Sequence, residues 1–340
     1  MKRYKVFVIL LNWNGKEDTL ECLESVLRID YPNFDTIVVD NGSTDDSVKV
    51  IRNQFPEVKV IETGKNLGYA GGNNVGIRYA LENGVDYILI LNNDTIVDPQ
   101  LLKAFINAAT QINEDGILSA KIYYFSSRNK IWYAGSQQIK QTARFRHIGK
   151  GCDDNDKKYK TIMETDYASG CALFTNASVF RNIGLFDEKY FLTYEETDFC
   201  YKAKKENIKS YVVPEAKVWH KISVSFGGEE SPIYKYFLTR NRLLWAERYL
   251  PKNRFIGILL NDSFKLIKYI IPPRIKINPS EMKLSLESIK EQAQNYKIRV
   301  KEKYQDPIMK AQSYGIRDYI FRRFGECQPN LNVSFLKWKK

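Results

Sequence analysis

The chain has 340 residues, 44% of them hydrophobic and 27% charged, the composition of a globular protein with apolar material for one large domain or two modest ones. Its five cysteines, Cys22, Cys152, Cys171, Cys200 and Cys327, are odd in number and share no CxxC spacing, which argues against a disulfide framework or a zinc ribbon and fits a reducing, cytoplasmic setting. The net charge of +12 is unevenly spread, because residues 226–340 carry 23 Lys and Arg against 11 Asp and Glu while residues 1–225 carry 29 of each.

The basic start, Met1 to Lys5, leads into a short apolar run, Val6–Leu11, followed by Asn12-Trp13-Asn14. That is a first strand and not a signal peptide, which would end in small residues. The pattern then predicts a helix over Lys16–Arg28, strand Thr36–Val39, helix Asp45–Gln54, strand Val58–Ile61, helix Ala70–Leu81 and strand Tyr87–Leu91. Strands separated by helices imply right-handed βαβ crossovers and a largely parallel sheet. A helix from Pro99 to about Thr110 leads to a strand pair near Ile117–Tyr124, and residues 126–160 lose the rhythm, ending in a charged loop, Cys152–Lys158, expected to be mobile. Order returns at Tyr167–Phe174, followed by a helix near Asn176–Asn182, another opening at Tyr194-Glu195-Glu196-Thr197-Asp198, and strand Ser210–Val213. Beyond Gly227-Gly228 the pattern is helical over Pro232–Leu250, Asn253–Ile271 and Pro279 to about Lys303. The apolar stretch Phe255–Ile271 contains Asn261, Asp262, Ser263, Lys265 and Lys268, too many polar groups for a membrane span. The expected division is a catalytic domain over 1–225 and a basic, helical region over 226–340.

Four strand ends carry polar or glycine-rich punctuation, and ligands of open α/β sheets bind at such carboxyl ends. Tyr87 to Leu91 is apolar without alternation, as in a strand buried on both faces, and Asn92-Asn93-Asp94 follows at once. Asn92 and Asp94 are two apart, so on an extended strand they share a side; their oxygens are hard ligands suited to Mg²⁺ or Mn²⁺. Asp40, at the end of the second strand, can accept from a nucleobase or ribose, or simply hold a turn. Gly68, Gly71 and Gly72 would let a backbone approach a nucleotide closely, although Gly64 to Gly72 fits neither G-x-G-x-x-G nor a P-loop. Glu195, Glu196 and Asp198 form a carboxylate cluster in which one acid, raised by its like-charged neighbour, would serve as a base. His220, one of two histidines, ends a strand as a structural group or a ligand.

Taken in order, Val8-Ile9-Leu10-Leu11-Asn12-Trp13-Asn14-Gly15, Val39-Asp40-Asn41-Gly42-Ser43-Thr44-Asp45, Asn66-Leu67-Gly68-Tyr69-Ala70-Gly71-Gly72-Asn73, Leu91-Asn92-Asn93-Asp94-Thr95, Gly184-Leu185-Phe186-Asp187-Glu188, Tyr194-Glu195-Glu196-Thr197-Asp198 and Val213-Pro214-Glu215-Ala216 resemble family 2 of the glycosyltransferases, the rhamnosyltransferase-like branch, over about residues 4–245. The resemblance implies a GT-A fold, a nucleotide-diphosphate sugar donor, Mg²⁺ or Mn²⁺, and inversion at the anomeric carbon. By position it implies that Asn12, Asp40, Asn66, Gly68, Asn73 and Asn92 line the donor site, that Asp94 and His220 contact the metal, and that Arg240 in Arg240-Asn241-Arg242 lies near the donor diphosphate. Asn92 stands where the family often has the first aspartate of its metal motif. The catalytic base falls on Glu195-Glu196, where the second place is more commonly aspartate, leaving both as candidates.

The expected function is therefore transfer of a sugar to a hydroxyl of a glycan or lipid-linked glycan in cell-envelope polysaccharide synthesis. The competing reading is a non-catalytic nucleotide-sugar or nucleic-acid binding protein; the acidic cluster argues against the first, and the lack of zinc-finger, helix-turn-helix or RNP-like signals argues against nucleic acid. The basic, apolar tail suits either peripheral attachment to the anionic inner face of the cell membrane or packing within the chain or a homodimer.

Overall fold

A computed structural model describes residues 3–112, 116–140, 142–222, 230–270, 294 and 306–327, with side chains in the segment 230–270 described only to residue 264. The helix expected over Pro279–Lys303 lies outside the described residues. The chain divides into two compact units, Met1–Gly228 with Phe324–Glu326, and Glu229–Arg323 with Cys327–Lys340.

The first unit begins with β1 (Val6–Asn12), α1 (Lys16–Val26), β2 (Phe34–Asp40), α2 (Ser47–Gln54), β3 (Lys59–Glu62), α3 (Gly68–Glu82) and β4 (Tyr87–Asn92). Strands β3, β2, β1 and β4 lie side by side and parallel, the order that right-handed crossovers produce. The apolar runs explain the burial: Val6–Leu10 and Tyr87–Leu91 are covered on both faces, each such side chain contributing about 1.5–3 kcal/mol.

Then follow β5 (Thr95–Val97), α4 (Leu101–Gln111), β6 (Gly116–Tyr124), β7 (Ser127–Tyr133), β8 (Ser136–Gln138), β9 (Phe145–His147), β10 (Met163–Thr165), β11 (Ala172–Asn176), α5 (Ala177–Ile183), α6 (Glu195–Lys205) and β12 (Lys209–His220). Strand β11 runs antiparallel between β4 and β6, and β12 continues the sheet parallel to β6. The sheet is thus mixed, mostly parallel in its N-terminal half. Phe105, Phe174 and Tyr87 stack through this junction at 4.7 and 5.0 Å between ring centroids.

Two features position the site. In β12 the register with β6 shifts between Val213 and Lys217, at Pro214, whose missing N–H suits an irregularity better than a regular ladder. Beyond the shift the strand reaches β5, pairing His220 with Thr95. The charged loop at 152–158, expected to be mobile, is instead pinned: the buried Lys121 ammonium donates to both oxygens of Asp154 at 2.9 Å, and Tyr123 donates to the same carboxylate at 2.6 Å. A buried cation with no partner would be far costlier than an ordered loop.

The second unit contains α7 (Pro232–Tyr249), α8 (Lys252–Ile270) and α9 (Pro307–Ile320). Ser231 caps α7 and Asp306 caps α9, each with proline in the first turn. Gly315 allows α9 to press on α7, since a Cβ there would lie 2.7 Å from the Tyr236 carbonyl oxygen. Among the described residues no helix is long and apolar enough to cross a membrane.

Candidate active site

The ends of β1 and β2 are locked together by side chains. Asn12 is fully buried; its Nδ2 donates to Asp40 Oδ1 at 2.9 Å and to Ser43 Oγ at 3.1 Å, while its Oδ1 accepts from Gly15 N and Thr19 Oγ1. Asp40 Oδ2 accepts from Ser43 N at 3.0 Å. Asn12 therefore has its whole amide engaged and acts by holding Asp40, whose oxygens each retain a second lone pair.

The glycine-rich segment packs on the protein's own backbone. Asn41 Nδ2 donates to Asn66 Oδ1 and to the Gly68 carbonyl, and Asn66 Oδ1 also accepts from Gly68 N. Gly68 has φ +73°, and a Cβ there would sit 2.4 Å from the Phe191 carbonyl oxygen. A Cβ on Gly72 would meet Leu11 at 2.4 Å. The close approach read from these glycines is thus that of α3 to β1 and to the 190–194 loop. Asn73, one turn into α3, is fully buried; its Nδ2 donates to the Tyr69 carbonyl, and its Oδ1 has no hydrogen-bond partner among the described residues.

Strand β4 stops at Asn92, and a tight turn puts Asp94 into the interior opposite the end of β12. Asn92 is half-buried at the strand end and Asp94 is buried. His220 Nε2 stands 3.1 Å from Asp94 Oδ1, and Lys221 N donates to the Asp94 carbonyl at 2.9 Å. Burial works against a charge on Asp94, but the positive His220 outweighs it and holds the carboxyl below its usual range. The contact is an ion pair rather than an aligned hydrogen bond, so Asp94 Oδ1 has no donor among the described residues. Two adjacent ligands on an octahedral ion at about 2.1 Å would stand about 3.0 Å apart, so this pair fits a divalent cation. No group of three or more His, Cys, Asp and Glu is placed to hold a metal among the described residues. Remaining positions on such an ion would fall to water and substrate oxygens, the usual arrangement for Mg²⁺.

The acid cluster opens α6. The loop before it takes positive φ at three non-glycine residues, Phe191 (62°), Thr193 (67°) and Tyr194 (72°), an expensive backbone that persists only where surrounding contacts fix it. Those contacts are present: the Phe191 carbonyl accepts from Tyr69 N at 2.6 Å, Tyr194 OH donates to the Ala143 carbonyl at 2.5 Å, and Tyr190 OH donates to Asp198 Oδ1 at 3.0 Å. Asp198 is thereby committed to the loop. Glu195 and Glu196 each keep an oxygen with no hydrogen-bond partner among the described residues. Burial, reinforced by the neighbouring Glu196, pushes Glu195 well above the ordinary carboxylate value, and burial raises Glu196 to about 7.

Tyr69 was not singled out in the sequence. Its hydroxyl donates to the Gly170 carbonyl at 2.6 Å. The phenol is raised well above its usual value by burial and then by Glu195, Glu196, Cys171 and Asp94, so the acid pair and the Asp94 side of the site both act on it. Lys221 was also missed; its ammonium donates to Asp18 at 2.6 Å and Glu21 at 2.5 Å, fixing the end of β12 on α1. Arg240, expected near a diphosphate, is fully buried in the second unit, against the rings of Tyr236 and Phe237 and donating to Asn241 Oδ1 at 3.0 Å. With no exposed surface it is not presented to a ligand, and its place is in the packing of α7.

Comparison with known proteins agrees with this architecture. Residues 7–179 match the model of glycosyl transferase family 2. The low-salt glycan biosynthesis hexosyltransferase Agl10 of Haloferax volcanii is 28% identical over 247 residues, 72% of this chain and 76% of its own length. An N-acetylglucosaminyl-diphospho-decaprenol L-rhamnosyltransferase of Mycobacterium tuberculosis is 26% identical over 207 residues, 56% of this chain and 67% of its own. Among solved structures, the mannosyltransferase PcManGT of Pyrobaculum calidifontis, in complex with GDP-Man and Mn²⁺, aligns with a TM-score of 0.55 at 12% identity, covering 95% of this chain and 89% of that one. The mixed sheet with its β3-β2-β1-β4 half is the GT-A fold, and the chain belongs to glycosyl transferase family 2.

Proposed function

We propose that this glycosyltransferase moves a sugar from a nucleotide-diphosphate donor to a hydroxyl of a glycan or lipid-linked glycan, with inversion and with the help of Mg²⁺ or Mn²⁺, on the cytoplasmic side of the cell envelope. The observation that carries the reading is the pair that opens α6, the buried Glu195 and the half-buried Glu196, each with an oxygen that has no hydrogen-bond partner among the described residues and with Glu196 raised to about 7, in the same unit as the buried Asp94–His220 pair. A carboxylate near neutrality is suited to accept a proton from an acceptor hydroxyl at physiological pH. The hydroxyl oxygen bonds to the anomeric carbon as the bond from that carbon to the diphosphate oxygen breaks, and the proton passes to the glutamate. Attack on the face opposite the leaving group inverts the centre.

Asp94 and His220 would hold the cation, which when bound neutralises charge developing on the departing diphosphate. Asp40, held by Asn12 and Ser43, would accept from the nucleoside. A cleft of about 590 Å³ flanked by Gln137, Arg146, Glu164 and Asp166 adjoins the β8–β9 hairpin, whose Phe145 packs edge-on against Tyr194 at 6.3 Å. Its planar polar side chains suit sugar hydroxyls of the acceptor. The test is slow donor hydrolysis over a panel of nucleotide-diphosphate sugars with Mn²⁺. Release of nucleotide diphosphate that needs both the metal and an intact Glu195-Glu196 pair supports the reading; release unchanged by chelator and by Gln at both positions overturns it.

A further inference from the structure

Two helices of the second unit carry exposed large apolar side chains among the described residues. On α8, Ile256, Leu260 and Phe264 recur at four-residue spacing, one helix face, and are 50%, 63% and 57% exposed; at the end of α9, Ile320 and Phe321 are 54% and 64% exposed. These are five of the seven large exposed hydrophobics among the described residues. Phe255 meets Tyr319 edge-on at 6.1 Å, so the first turn of α8 and the last of α9 are neighbours.

The exposed charges on these turns themselves are basic. Lys252, Arg254, Arg322 and Arg323 are exposed there. The nearby acids are already engaged: Glu247 by Arg322 at 2.7 and 2.9 Å, Asp262 by Arg242, and Asp318 by Tyr236 and Arg317 at 2.8 Å each. An apolar face rimmed by cations, in the part of the chain that holds the whole basic excess, is complementary to a surface that is apolar within and anionic at its rim.

We propose that this face of the C-terminal unit seats on an anionic lipid surface, with Ile256, Leu260, Phe264, Ile320 and Phe321 entering the headgroup boundary and Lys252, Arg254 and Arg323 meeting lipid phosphates. The attachment is peripheral and reversible, and it rests on the function proposed above only for its purpose, bringing the enzyme to a lipid-linked acceptor.

The experiment is co-sedimentation of the full-length protein with vesicles of phosphatidylcholine alone and of phosphatidylcholine with phosphatidylglycerol, at low and high salt. The protein is expected to pellet with the anionic vesicles at low salt and to be released by high salt. Lys252→Gln with Arg254→Gln should weaken partitioning about thirtyfold, about fivefold for each cation lost, and Leu260→Asp with Phe321→Asp should abolish it. Protein that stays in the supernatant under every condition overturns the proposal, as does binding indifferent to both double variants. So does a solution dimer that Leu260→Asp converts to monomer while vesicles bind neither form, since a second copy would then cover the face. Metal-dependent donor hydrolysis, measured in parallel without lipid, separates failure of this inference from failure of the enzymatic reading.

Discussion

Glu196 is unusual because its environment withholds what a carboxylate normally seeks: burial raises it to about 7 and one oxygen finds no donor among the described residues. Glu196→Gln keeps the volume and removes the base, so turnover should fall about 10²–10⁴-fold while calorimetric affinity for donor with Mn²⁺ stays within a few fold. If Glu195→Gln carries the large loss and Glu196→Gln almost none, the two roles exchange. Tyr69 makes a different prediction. Its hydroxyl ties Gly170 to the start of α3, so Tyr69→Phe should lower turnover about five- to tenfold, the equivalent of about 1 kcal/mol for one hydrogen bond, with donor affinity and melting temperature little changed. Unchanged kcat would show that the bond to Gly170 positions nothing. Asp94→Ala should remove metal-dependent donor binding without unfolding the unit, and calorimetry showing wild-type affinity with Mn²⁺ would end the metal assignment.

The elements that were legible in the sequence are those whose pattern is local. Unbroken apolar runs gave β1 and β4, amphipathic spacing gave α1, and Pro99 marked the start of α4, with ends displaced by a residue or two. Strands β5 and β7 to β10 were not read: β5 and β10 are three residues long and are defined by a distant partner, β12, while β7, β8 and β9 pair locally but carry no unbroken apolar run. Helix α9 could have been found, since Asp306-Pro307 is a cap followed by a first-turn proline. At the site, residue types were readable but their partners were not. Nothing local in Asn92-Asn93-Asp94 says that a turn would send Asp94 to His220, more than a hundred residues away; only the family resemblance put the two on one metal. The glycines carry the testable consequence. Gly68 needs both its positive φ and the absence of a Cβ, which would lie 2.4 Å from the Phe191 carbonyl oxygen, so Gly68→Ala should cost about 1–3 kcal/mol and loosen the acid-bearing loop. Gly84 has a similar φ, +68°, but nothing within 4 Å; Gly84→Ala should cost less, and equal losses in melting temperature would show that the Phe191 contact is irrelevant.

The pH dependence of stability is a property of the whole molecule, because groups far apart contribute opposite slopes. In the unfolded chain Glu196 loses its proton near 4.3, whereas in the fold it keeps it to about 7. The folded state therefore binds more protons between those values, and the stability Glu196 contributes, complete below 4.3, is lost as pH rises through 7. That loss is no more than about 3 kcal/mol, since part of the side chain is not fully enclosed. His147 acts the other way. Burial lowers its pKa to about 4, so the unfolded state binds the extra proton between about 4 and 6.5 and stability from this group rises with pH over that range. The two slopes largely cancel between 4.3 and 6.5, and the wild-type profile there is not diagnostic of either. The difference between wild type and Glu196→Gln isolates the glutamate: in chelator, the melting temperature of the variant should gain on that of the wild type steadily from pH 5 to pH 8, by roughly 5 °C at most. Parallel profiles across that range would mean that Glu196 titrates as an ordinary surface carboxylate and that the base must be sought elsewhere, with Glu195, raised further by the same burial, the first to test.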